Sequence, residues 1–154
     1  MRLRLSAIYL PSRDLPTAAC QQVTSEWWES KRHKYDLYIS ELVIAEIKSG
    51  DPDAAARRIQ LINDITELRI TEKVREMASA LIKQGALPDK AQADALDIAI
   101  AAVHGVNYLL TWNCRHINNP ATKPFIRKVC NIQGYSCPEI CTPIEMLEVN
   151  EHEE

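Results

Sequence analysis

The stretch DALDIAIAAVHGVNYLLTWN, residues 94–113, joins two unlike patterns end to end. Asp94 and Asp97 are the only formal charges between Ala91 and Val103, set among Ala, Ile, Leu and Val. A helix apolar around most of its circumference belongs in an interior. A buried helix is therefore expected from about Ala91 to His104, with Gly105 as its stop. Tyr108-Leu109-Leu110-Thr111 then reads as a short apolar strand closed by a hydroxyl.

Outward from this stretch the same alternation recurs. Thr71 caps a helix expected through Gln84, preceded by a strand at Glu67 to Ile70. Asp51-Pro52 opens a helix through about Ile62, and Ser40 caps another through about Lys48 after a strand at Asp36 to Ile39. A helix is expected from Leu15 to about Lys31, after a first strand at Leu3 to Leu10. On the carboxyl side, a polar loop from Trp112 to Pro120 leads to a helix from about Thr122 to Gln133. An edge strand at Ile140 to Thr142 and a helical turn from Pro143 to Leu147 follow. Strands alternating with helices of this length indicate an α/β protein with a parallel sheet. With 154 residues, one domain over residues 1–148 is expected, with a frayed acidic tail at 149–154.

Composition excludes some classes. The net charge is −3, so the chain is not basic all over in the manner of a nucleic-acid coat. Positive charge is clustered at Lys31-Arg32-His33-Lys34 and at Arg115, His116, Lys123, Arg127 and Lys128. Such runs are solvated faces or phosphate-contacting patches. No apolar run approaches the ~18 residues that span a bilayer, so a cytoplasmic protein without a membrane segment is expected. The five cysteines, Cys20, Cys114, Cys130, Cys137 and Cys141, include no CxxC pair. They read as small apolar groups rather than a disulfide framework, with zinc through Cys114, His116, Cys130, Cys137 and Cys141 as the sharper alternative.

Chemistry, if present, rests on carboxylates. Asp94 and Asp97 lie three apart on one side of an apolar helix and repel each other. A buried carboxylate either neutralises or finds a cation. A divalent cation would relieve the repulsion; alternatively one Asp is exposed and the other bonds to backbone or an Arg. Glu46 sits mid-helix in Ser40-Glu41-Leu42-Val43-Ile44-Ala45-Glu46-Ile47, one position past an apolar run. Glu41 belongs to the first turn, where a negative charge suits the helix dipole. Thr111 and Asn113 place a hydroxyl and an amide at the same strand end.

The order SELVIAEI, then DALDIAIAAVHG, then YLLTWN resembles the PIN-domain family, in particular VapC-type toxins and their PilT N-terminus relatives. The resemblance runs from about Pro11 to Met146, and the piece from Asp94 to Asn113 is its most specific part. It implies a three-layer fold, a parallel sheet of about five strands flanked by helices. It implies metal-dependent RNA cleavage, with Mg²⁺ or Mn²⁺ held by three or four carboxylates. By motif match Glu46 and Asp94 take acid positions, Asp97 a more variable one, Asn113 a position held by Asp or Asn, and Thr111 the hydroxyl before it. Hard oxygen ligands suit such ions, and the ion both activates water and relieves phosphate charge. The implied partners are an RNA substrate and a cognate antitoxin, with a homodimer expected. Trp27 and Trp28 make the helix after Leu15 more hydrophobic than a solvated helix needs, and part of that surface is expected to meet a second copy or an antitoxin segment.

One departure stands out. The family's first strand ends in an acid followed by Thr or Ser, but Met1 to Ile8 contain no carboxylate. Matching Ser6 to that Ser puts Arg4 about where the acid belongs, with its guanidinium in place of the metal's charge and paired to Asp94; the alternative is a shifted start, with the usual first strand absent. On the first reading metal binding is weak, activity is low or absent, and Arg4→Asp raises both.

Overall fold

Thirteen elements alternate along the chain in the computed structural model, which describes residues 3–7 and 18–149. They are β1 (Leu3–Ala7), α1 (Ala18–Ser30), a 3-10 turn (Arg32–Lys34), β2 (Tyr35–Ser40), α2 (Glu41–Lys48), α3 (Pro52–Ile62), β3 (Thr66–Leu68), α4 (Glu72–Lys83), α5 (Gln92–Val103), β4 (Tyr108–Leu110), α6 (Lys123–Ile132), β5 (Glu139–Cys141) and α7 (Pro143–Val149). The five strands are all parallel, in the order β3-β2-β1-β4-β5. The chain order reverses direction at β1, between β2 and β4. This is the switch point at which open parallel sheets bind ligands beyond their strand ends.

Local chemistry sets most boundaries. Ser40, Asp51 and Thr71 each accept a hydrogen bond from a backbone N–H three residues on, at 3.1, 3.0 and 3.3 Å, which satisfies donors that a helix start leaves orphaned. Gly105, at φ +68°, turns the chain out of α5 in a backbone region that side chains rarely enter. Two expectations shift. The strand expected at Glu67 to Ile70 is Thr66–Leu68, because the Ile70 N–H donates to the Glu41 carboxylate instead of a ladder partner. The first strand is described over Leu3–Ala7, and the rest of its expected span, like the expected helix start at Leu15, lies outside the described residues.

The strands' two faces bury different helices. Leu109, Leu68 and Ile140 face α4, α5 and α6, joining Val74, Met77, Leu81, Ile98 and Ile126 in the largest core. Leu5, Leu110 and Cys141 face the other way, against Trp27 of α1 and Met146 of α7. Ile39 packs with Val43 and Ile47 of α2 and Ala55 and Ile62 of α3. Helix, sheet and helix thus form three layers. The expected apolar surface on α1 divides. Trp27 is core and stacks on Tyr35 at 6.1 Å, whereas half-buried Trp28 lies under the Arg32 guanidinium at 4.8 Å. Among the described residues no helix is long and apolar enough to cross a membrane.

Arg4 does not pair with Asp94. It pairs with Asp36 at the amino end of β2, and its backbone carbonyl accepts from Asn107. Its guanidinium donates to the His104 carbonyl at 2.7 Å, beneath the last turn of α5, and covers the Tyr38 ring at 4.5 Å. Asp94 sits in the first turn of the same helix; ten residues of rise separate it from His104, about 15 Å. A cation at a helix C-terminus is electrostatically favoured, so Arg4 serves the fold. Arg4→Ala is expected to cost about 2 kcal/mol in chemical denaturation, from the lost cation–π contact and charged hydrogen bond. Neither it nor Arg4→Asp should tighten Mn²⁺ binding by titration calorimetry, in contrast to the expectation from strand matching.

Candidate carboxylate site

The carboxyl ends of β2 and β4 and the amino end of α5 meet at one edge of the sheet, because parallel βαβ units return each helix to the same side. Asp94 enters from the first turn of α5, where the helix dipole favours an anion. Its two oxygens are both engaged. Asn113 Nδ2 donates to Oδ1 at 3.0 Å, and His116 Nδ1 lies 2.9 Å from Oδ2. The Asp94 and His116 side chains remain about one-fifth exposed, open to a ligand from solvent.

The loop after β4 is built to present those two donors. Buried Thr111 accepts from the Asn113 backbone N–H through Oγ1 at 2.9 Å, and its own N–H donates to the Cys141 carbonyl. Asn113 Oδ1 then accepts from the backbone N–H groups of Arg115 and His116, at 3.2 and 3.1 Å. With its oxygen committed to the turn, the amide can only point its nitrogen at Asp94. Trp112 turns the opposite way and donates to Thr24 Oγ1 of α1 at 2.8 Å. Thr111 therefore positions Asn113 and does not itself touch Asp94. An aspartate at position 113 would repel Asp94 unless a cation lay between them; the amide makes the contact without one.

Asp97, one turn on, is the anomaly. It is 7% exposed, and its Oδ1 has no hydrogen-bond partner. Its carboxyl is pushed up to about 8, first by burial and then by the negative charges of Glu46 and Asp94. Glu46 and Asp94 thus act on one buried group from α2 and α5. Glu46 itself is exposed on the second turn of α2, with rotamer freedom to swing. Glu41 is structural, holding the end of β3 through Ile70.

Of the residues expected at a site, Asp94 and Asn113 are in direct contact, Thr111 supports Asn113, and Asp97 feels both Glu46 and Asp94. Arg4 lies at the other end. Among the described residues no three His, Cys, Asp or Glu side chains form a group that could hold a metal ion as they stand. The donor chemistry is nevertheless all oxygen, with a buried oxygen left unpartnered, and suits a hard cation such as Mg²⁺ or Mn²⁺. Glu46, Asp94 and Asp97 would hold it, with His116 displaced from Asp94.

His116 was legible in sequence as part of a basic cluster and as a candidate zinc ligand, not as a partner of Asp94. The spacing Asn113-x-x-His116 after a strand end is the signal that could have placed it: a turn of that length folds its fourth residue back over its first. The cysteines do not assemble around His116; Cys114 is exposed, and Cys130 and Cys141 are buried in separate cores. No known family model matches the chain, and no curated protein matches it at a significant level.

Proposed function

We propose that this chain is a metal-dependent ribonuclease of the PIN type, the toxin of a toxin–antitoxin pair, with Glu46, Asp94 and Asp97 around Mg²⁺ or Mn²⁺. The observation that carries the reading is Asp97. A buried aspartate with an unpartnered oxygen, under the negative charges of Glu46 and Asp94, costs the fold stability. The all-parallel five-stranded sheet is the architecture implied by the sequence resemblance, and the carboxylates lie at its switch point. A bound ion would neutralise charge on a phosphodiester and lower the pKa of a coordinated water.

The chain's own residues have separable tasks. Asn113 keeps the Asp94 carboxylate oriented, and such supporting contacts are worth about 10–100-fold in metal sites. Asp97 would give up its proton to hold such an ion. Arg115, exposed on the same loop as His116, sets a positive charge beside the path that an RNA backbone would take to the acids. The same reading carries a cytoplasmic homodimer silenced by a cognate antitoxin.

A second reading, from a different class, is a degenerate PIN fold that binds RNA or protein without cutting. Two observations favour it: β1 as described, Leu3–Ala7, has no carboxylate, and protein donors already occupy both Asp94 oxygens. Calorimetric Mn²⁺ titration beside cleavage of a single-stranded RNA separates the two. The ribonuclease reading expects Mn²⁺ binding and EDTA-sensitive cleavage, with Glu46→Gln lowering cleavage about 100-fold. RNA retention with no Mn²⁺ heat and no cleavage would establish the binding module instead.

A further inference from the structure

At the opposite end of the sheet from the carboxylates, the turn from α6 into β5 brings two thiols together. Cys130 lies in the last turn of α6 and is fully buried. The chain then doubles back: Gly134, at φ +83°, lets its N–H reach the Asn131 carbonyl at 3.1 Å, and the Tyr135 N–H reaches the Cys130 carbonyl at 2.9 Å. This reversal returns Cys137, half-buried, to the same core, where its thiol lies beside that of Cys130 and donates to the Pro138 carbonyl at 3.4 Å. Cys141, two residues into β5 on the opposite sheet face, and exposed Cys114 take no part.

The two sulfurs are unlike. Cys137 is drawn below the usual thiol range by the hydrogen bond from Cys130 and, against its burial, by the charges of Arg127 and Lys123. Cys130 is held well above that range by the same hydrogen bond and by burial. A partly exposed sulfur beside a fully buried one is the arrangement of an attacking and a resolving cysteine.

We propose that Cys130 and Cys137 form a site of reversible disulfide modification, in which Cys137 reacts with a low-molecular-weight disulfide and Cys130 closes the bridge. With glutathione disulfide, the Cys137 thiolate attacks one sulfur, the glutathione S–S bond breaks, and one glutathione thiolate leaves. Cys130 gives its proton to that thiolate or to water and attacks Cys137 Sγ, releasing the second glutathione thiolate. The two cysteines lose two electrons, and glutathione disulfide gains them to become two thiols. The bridge ties the last turn of α6 to the start of β5.

The test uses the whole reduced chain treated with glutathione disulfide, then intact mass and peptide mapping under non-reducing conditions. The expected product has lost two hydrogens, carries no glutathione, and yields one linked peptide pair joining Cys130 to Cys137. Its melting temperature should rise by about 5 °C and return on adding dithiothreitol. Cys130→Ala should leave glutathione trapped on Cys137, and Cys137→Ser should leave Cys130 unmodified. A stable glutathione adduct on wild-type Cys137, a bridge to Cys141 or Cys114, or no reaction at either thiol would overturn the proposal. Because the mapping is done on wild type, the result does not depend on the variants folding.

Discussion

Asp97→Asn is expected to stabilise the chain by several kcal/mol at pH 8.5 in the absence of divalent cations. The sign follows from linkage. The folded-state pKa of Asp97 is raised from 3.8 to about 8, so the folded chain holds a proton that the unfolded chain has released. Between those two values stability falls as pH rises, by about 1.4 kcal/mol per pH unit, and above the folded value the penalty is complete. Asparagine has nearly the same volume and no titration, and it removes the repulsion from Glu46 and Asp94. Urea denaturation from pH 4 to 9 measures the effect: the wild-type curve should slope downward across that window, and the Asp97→Asn curve should lack that component. Mn²⁺ should restore wild-type stability at pH 8.5 and do little for the variant. Parallel pH profiles for the two proteins would show that Asp97 is ionised, and accommodated, in the fold as it stands.

The second large effect concerns Asp94. On the proposed ribonuclease reading, Asp94→Ala should lower metal-dependent RNA cleavage about 1000-fold, equivalent to about 4 kcal/mol of transition-state stabilisation. It should cost the fold only about 1–2 kcal/mol, from the N-terminal charge on α5 and the partly exposed contacts to Asn113 and His116. Cleavage rates at saturating Mn²⁺, read beside thermal unfolding of the same samples, keep the two quantities apart. Cleavage that survives Asp94→Ala in a folded protein would move the chemistry away from this end of the sheet.

The site was partly legible in the sequence. Asp94 and Asp97 stood out because carboxylates are rare inside an apolar helix, and burial of that helix made Asp97 anomalous for the reason expected. Asn113 and Thr111 were found through their place at a strand end. The expected pairing of Arg4 with Asp94 is not made, because the register of β1 follows hydrogen bonds to β2 and β4, over 30 and 100 residues away in the chain. His116 was missed because its approach to Asp94 depends on how Asn113 folds the loop.

What the chain alone determined is the element order and most of its ends. Capping by Ser40, Asp51 and Thr71, the glycine after α5 and the apolar run within it act over about four residues, within reach of local sequence patterns. What only the tertiary structure decided is which groups act on one another: His116 with Asp94, Glu46 with Asp97, Arg4 with the end of α5, and Cys130 with Cys137. The first three pairings cross between elements, and the last depends on a loop reversal packing back on the core. Such pairings follow from sheet register, loop conformation and burial together, which residue spacing does not encode.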